Sequence, residues 1–208
     1  QTVAILGYQF QRVGYNANDP VSVTPAGPLM PEDRDKSSHY VFVGADQNFS
    51  TQWNASLRAG AQITDYDLKA AEDRTTPYVD FSSTYTYLEG SYFQMGVRHQ
   101  LNATDVSAPG GVVPTLDQQS TTVYAMLLHK ITGDLTGRLW GQYQNSEFNG
   151  GFYNGKSENF YMFSATLSYQ INQFLSSEIQ YSFDKLDSVA FGRDYDRNRV
   201  FFGFRGSY

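Results

Sequence analysis

The sequence predicts an all-β chain, an antiparallel up-and-down transmembrane β-barrel with about ten strands visible. Three observations predict it. Apolar and polar residues alternate along about ten segments, and a period of two belongs to a strand with two unlike faces. The connectors between those segments alternate short and long. No stretch approaches the roughly 20 apolar residues of a spanning helix; the longest apolar runs are of the length of Val41-Phe42-Val43 and Ala125-Met126-Leu127-Leu128. Ten two-faced strands with no helix between them cannot easily share one ordinary core. They read best as a wall with an apolar outside and a polar inside.

The strands are expected at 2–15, 38–49, 52–66, 77–88, 92–103, 120–131, 135–147, 158–171, 174–186 and 197–208, each long enough for the roughly 9–11 residues of a tilted membrane strand. The second carries the run Val41-Phe42-Val43. The third is the cleanest: Trp53, Ala55, Leu57, Ala59, Ala61 and Ile63 face one way, Asn54, Ser56, Arg58, Gly60, Gln62 and Thr64 the other. The fourth places Ser83 on its outer face. The fifth sets Phe93, Met95, Val97 and Leu101 against Gln94, Gly96, Arg98 and Gln100. The sixth is mixed, with Met126 and Leu128 falling inside and His129 outside. The eighth presents Tyr161, Phe163, Ala165, Leu167, Tyr169 and Ile171 outward. The ninth sets Leu175, Ile179, Tyr181 and Phe183 outward and Ser176, Glu178, Gln180, Ser182 and Asp184 inward. In the last, Val200, Phe202, Phe204 and Tyr208 alternate, as in the closing strand that the outer-membrane barrel assembly machinery reads as a pairing edge.

Long connectors are expected at 16–37, 67–76, 104–119, 148–157 and 187–196, where most Pro, Gly and Asp collect. Tight ones fall at Ser50-Thr51, Glu89-Gly90-Ser91, Thr132-Gly133-Asp134 and Asn172-Gln173. Short turns on the periplasmic side and long loops outside are the outer-membrane asymmetry. Residues 1–208 then form a single barrel domain. Gln1 opens directly on strand pattern, so a leader already removed, a mature start or a fragment all fit.

Composition narrows the function classes. The 208 residues carry a net charge of −6 and no cysteine. Disulfides, thiolate metal sites and thiol catalysis are therefore excluded, and the absence of a basic stripe argues against a nucleic-acid partner. Mean hydropathy is −0.46, the value of a soluble protein, as a polar-lined barrel would also give. The 16 Tyr and 15 Phe suit aromatic girdles at two membrane surfaces; a soluble aromatic-rich sandwich would also use them, but has no reason to keep the alternation of connector length.

The stretch Tyr181-Ser-Phe-Asp-Lys-Leu-Asp187, followed by Asp194-Tyr-Asp-Arg-Asn-Arg-Val200 and Phe202-Gly203, resembles the closing hairpin of bacterial outer-membrane β-barrel proteins of the putative beta-barrel porin 2 type. Pro77-Tyr-Val-Asp80, Gly90-Ser-Tyr92, Gly96-Val-Arg-His99 and Gln142-Tyr-Gln144 are similar to its internal strands. The resemblance covers most of the chain, and its motifs are structural. It implies a Gram-negative outer-membrane location, and, because members are usually longer, that these strands can be the C-terminal part of a larger barrel.

The inward face is expected to carry Arg58, Arg98, Arg138 and Arg205 with Asp46, Asp80, Glu178 and Asp184. Opposed charges across a lumen would order water and favour small polar solutes or ions; the same residues could instead be ion pairs filling a narrow interior. Strand number decides between a filled barrel and an aqueous channel. Acidic pairs recur in loops, Asp33 with Asp35, Asp65 with Asp67 and Asp194 with Asp196. These are weak candidates for a hard cation or for lipopolysaccharide-bridging ions, and turn residues otherwise. His39 is the one histidine near a loop mouth and could meet Asp33 or Asp35, but no nucleophile–base–orienter set accompanies it, so no enzyme is expected. The expected function is porin-like diffusion of small hydrophilic solutes. The alternative is a plugged barrel that binds a surface partner through its loops. Lipid and lipopolysaccharide are the expected surroundings, an oligomer is compatible, and no cofactor is called for.

Overall fold

The fold is known from a computed structural model, which describes residues 1–20, 22–24, 27–106 and 113–206. Tyr208, and Pro25-Ala26 and Pro109-Gly110-Gly111 of the expected loops, lie outside them. Ten long strands form one sheet: β1 (Thr2–Val13), β4 (Lys36–Asn48), β5 (Trp53–Tyr66), β6 (Arg74–Leu88), β7 (Ser91–Ala103), β8 (Asp117–Lys130), β9 (Leu135–Asn149), β10 (Ser157–Asn172), β11 (Leu175–Ser188) and β12 (Tyr195–Gly206). Every neighbour in that order is antiparallel. Inside the first long loop sit a small hairpin, β2 (Ser22–Thr24) with β3 (Gly27–Leu29), and a single 3₁₀ turn over Pro31–Arg34.

The sheet is open. The expected closed barrel is not formed within these residues, because β1 and β12 are both edges and neither pairs with the other. Both strands are exposed along almost their whole length, and each leaves a row of backbone donors and acceptors unpaired, which is a template for another strand.

The register sets like residues side by side. Arg58 stands opposite Asp80, Asp80 opposite Arg98, and Arg98 opposite Thr122; one polar face therefore runs continuously across β5 to β8. Its reverse carries the large apolar side chains, from Leu6 at 82% exposed to Val200 at 74%. Among the described residues most of what is buried is polar, and the small apolar cluster of Val106, Phe148 and Ala190 sits at the loop-side end, where Phe148 near the end of β9 meets two long loops.

Contacts over the polar face show that the sheet curls. Lys36 on β4 meets Asp117 on β8 at 3.2 Å. Those strands are four steps apart, about 19 Å across a flat sheet, farther than the two side chains can span. The polar face is therefore the concave one. A local break assists the curl. β6 and β7 pair only from Val79 and His99 toward their turn, and beyond that point lies Pro77, which has no N–H to offer a neighbour. Leu101 of β7 finds its partner elsewhere: its N–H donates to the Gln62 side-chain oxygen at 2.9 Å, and its carbonyl accepts from the Gln62 amide at 3.1 Å.

The outer-face exceptions have local explanations. Ser83 accepts the indole N–H of Trp53 at 2.9 Å and donates to the Asn54 carbonyl. His129 bonds the Tyr87 hydroxyl at 2.9 Å and stacks on its ring.

Candidate functional site

The concave face is the candidate site, and its charged side chains pair along the wall. Arg58 forks onto Asp46 through both guanidinium nitrogens, at 2.8 and 3.1 Å. Gly44 makes this possible: a Cβ there would come within 2.6 Å of the Arg58 Cδ, so only a bare backbone lets the arginine lie flat. Arg98 binds Asp80 at 2.9 Å. Asp184 is buried between Arg197 at 2.7 Å and Arg199 at 3.0 Å. Each of these three carboxylates is thus matched by a cation on an adjacent strand. Arg138, Arg205 and Glu178 lie together in a concavity of about 430 Å³ at the turn-side end. Glu178 accepts from the Ser168 hydroxyl at 3.3 Å, while neither arginine has an ion-pair partner among the described residues.

Sequence reasoning did not single out Arg197 and Arg199. Their alternation in Asp-Arg-Asn-Arg-Val was a usable signal, because a hairpin register places them opposite Asp184 and Ser182. The Lys36–Asp117 pair had none, its partners standing 81 positions apart in the chain. Asp117 is fully buried and held from three sides: Lys36, the Asn149 amide at 2.7 Å, and the Tyr66 hydroxyl, which donates to the same carboxylate oxygen as Lys36.

This network belongs to a cap over the loop-side end. Arg34 lies over the Tyr15 ring at 4.5 Å and donates to the Thr104 carbonyl. Burial raises the Tyr15 phenol above its ordinary range, against the opposing effect of Arg34. On the far side Arg193 binds Asp105 through two bonds of 3.1 Å and approaches Glu158 at 3.4 Å. Burial opposes the Arg193 charge, but Asp105 and Glu158 hold its pKa above the usual guanidinium value. Beneath the cap the concave side is hollow. One cavity of about 200 Å³ is bounded by Gln9, Gln11, Ser38, Gln62 and Asn102, and a second of about 520 Å³ lies over β7 to β9.

The loop aspartates are spread among unrelated tasks. Asp33 accepts the Met30 N–H, Asp35 the Tyr15 N–H, and Asp194 the Ser188 N–H. Asp67 pairs with Arg12 at 3.0 Å. Asp65 lies 3.8 Å from His39, and Asp196 stands opposite Lys185 in the register. Among the described residues no group of three or more His, Cys, Asp or Glu is placed to hold a metal ion. The expected meeting of His39 with Asp33 or Asp35 does not occur. His39 lies on the convex face, bonded to the Tyr8 hydroxyl at 2.8 Å and near Asp65, while Asp33 and Asp35 are turned into the loop. Phe202 and Phe204 stack edge to face at 4.9 Å on the outer side of β12; Tyr208 lies outside the described residues.

Ten long antiparallel strands thus form one curled meander, polar and hollow on the concave side and apolar on the convex side. The family model described as Putative beta-barrel porin 2 matches residues 29–208. The chain belongs to that family. No curated protein matches it, and no solved structure does.

Proposed function

We propose that the chain forms the wall of a closed outer-membrane β-barrel through which small hydrophilic solutes or ions diffuse passively. The observation that carries this reading is the inverted burial, with most buried side chains polar and large apolar ones exposed on the outer face. Lipid is the solvent that such an outer face suits, since in water it would be a very large exposed apolar patch. Aromatic residues mark two levels on it. Phe49, Trp53, Tyr85, Phe93, Tyr169 and Phe174 stand at the turn-side end, and Tyr8, Phe10, Tyr143 and Tyr161 toward the loops. On β10, Tyr161 and Tyr169 are eight residues apart, about 27 Å along the strand. At a tilt of about 40° that is roughly 21 Å across the membrane, close to the roughly 25 Å apolar band of outer-membrane barrels. Backbone groups cannot stay unpaired in lipid, so the edges of β1 and β12 must be joined, directly or through further strands. The turns then face the periplasm and the capped loops the exterior.

The cap favours a second reading, in which the loops seal the mouth and the barrel serves as a surface scaffold. Planar-bilayer conductance separates the two. The detergent-folded protein, checked by its faster migration on gels before boiling, is expected to give steady conductance steps. In the variant Arg98→Gln with Arg138→Gln the reversal potential under a KCl gradient is expected to move toward cation preference. A correctly folded barrel that stays silent would sink the channel reading and leave the sealed one.

A further inference from the structure

We propose that the concave face of β7 to β9 is a binding track for neutral sugars, so that the preferred solute is an oligosaccharide. The proposal rests on reading that face as the lumen. It starts from the hollow of about 520 Å³ over those three strands, within the roughly 300–1,000 Å³ of small-ligand sites.

The chemistry of its wall is unusual for a plain water-filled pore. Arg98 is the sole charged side chain on it, and Asp80 neutralises that charge at 2.9 Å. A wall so balanced offers little to a free cation or anion. Side-chain amides dominate instead: Gln100, Asn102, Gln118, Gln142 and Gln144, with the Thr122 hydroxyl. Each amide presents a donor and an acceptor side by side, the pattern that a sugar hydroxyl, itself donor and acceptor, can match at both ends. The Gln118 and Gln142 side chains have no hydrogen-bond partner among the described residues, so their capacity is free. Gln144 is already oriented, accepting from Thr122 at 3.2 Å and donating to Ser146 at 2.9 Å.

Two aromatic rings complete the surface. Tyr124 stands opposite Gln142 on β9 and opposite Gly96 on β7. A Cβ at Gly96 would lie 2.5 Å from both the Tyr124 Cζ and its hydroxyl oxygen. The ring therefore crosses the space that glycine leaves empty and lies down along the wall. Trp140, one inward position nearer the turn side on β9, is half-buried and its indole N–H has no partner among the described residues. Flat rings with one polar handle take the C–H faces of a pyranose and leave its rim of hydroxyls to the neighbouring amides. An ion needs no such platform, and an apolar solute would leave the amides unpaired.

The chain provides its own reporter, because Trp53 and Trp140 are the two tryptophans and Trp53 lies on the convex face. In Trp53→Phe the remaining indole emission comes from Trp140. Titration of the detergent-folded variant with maltohexaose and with cellohexaose is expected to shift that emission with saturation in the millimolar range. Adding Tyr124→Ala or Gln142→Leu is expected to weaken the half-saturation about threefold to tenfold. Succinate at equal concentration is expected to leave the emission unchanged. Folded protein whose emission answers to neither sugar, or answers equally to succinate, overturns the proposal. This assay requires no current. Conductance without a sugar response removes the sugar track and keeps the channel, whereas a sugar response in a silent barrel keeps the track and removes the channel.

Discussion

At the scale of single residues, the concave face is governed by the cost of burying charge. Asp117 is completely buried, and its charge is tolerated because Lys36, Asn149 and Tyr66 all donate to it. Removing the cation leaves a buried carboxylate that has lost its counter-charge, a change worth about 3–5 kcal/mol. Lys36→Met is therefore expected to lower the unfolding free energy in detergent by that order. Lys36→Met combined with Asp117→Leu should recover part of the loss, and urea titration of both variants checks the difference. Two glycines on this face act by their absence of side chain, Gly44 under Arg58 and Gly96 under Tyr124. Both stand at alternating inward positions that the period-two pattern already marked. What could not be read was the side chain that would fill each gap, since it arrives from the neighbouring strand.

At the scale of the strand, alternation decides which substitutions are tolerated. Leu167 on β10 points to the convex side between Tyr161 and Tyr169, whereas Thr166, next to it, points inward and is buried. An arginine on the lipid face near mid-membrane costs about 2–4 kcal/mol. Ala165→Arg, on the same convex face midway between Tyr161 and Tyr169, is expected to lower stability in lipid vesicles by that amount, and Thr166→Val by less than 1.5 kcal/mol or so. Equal losses from the two would argue against a lipid-facing convex side. Nearly all of this level was legible. The ten long strands and the alternation of tight and long connectors follow from the sequence, and strand ends differ by a few residues where loops begin. The β2–β3 hairpin and the 3₁₀ turn at Pro31–Arg34 were missed. They are short and proline-containing, too brief for a period to show, and Arg34 of the turn is fixed by the distant Thr104 carbonyl.

At the scale of the whole molecule, the channel reading gives the loop-side cap control of how far the lumen opens. The Arg193 link to Asp105 and Glu158 ties the β11–β12 loop to the ends of β7 and β10. Arg193→Ala unties it without touching the wall. In the channel reading it is expected to raise conductance or lengthen open times, with the fold unchanged on gels before boiling. An unaltered current would show that this latch does not limit passage. Closure of the wall can be tested because the chain lacks cysteine. Leu6→Cys on β1 with Val200→Cys on β12 should cross-link through a short bismaleimide when the two edges lie side by side, and should fail to do so when further strands separate them.

The sequence by itself determined the ten long antiparallel strands and their order, because period two, turn chemistry and connector length are local quantities that each segment carries alone. It also placed Arg58, Arg98, Asp80 and Asp184 on the inward face for the same reason. Only the tertiary structure decided what those residues touch: same-wall ion pairs, a buried carboxylate bridging β4 and β8, a glutamine standing in for a missing backbone partner, and an amide-rich hollow floored by a flattened tyrosine. These depend on how sharply the sheet curls. Curl is a property of many strands together, and no window of sequence contains it.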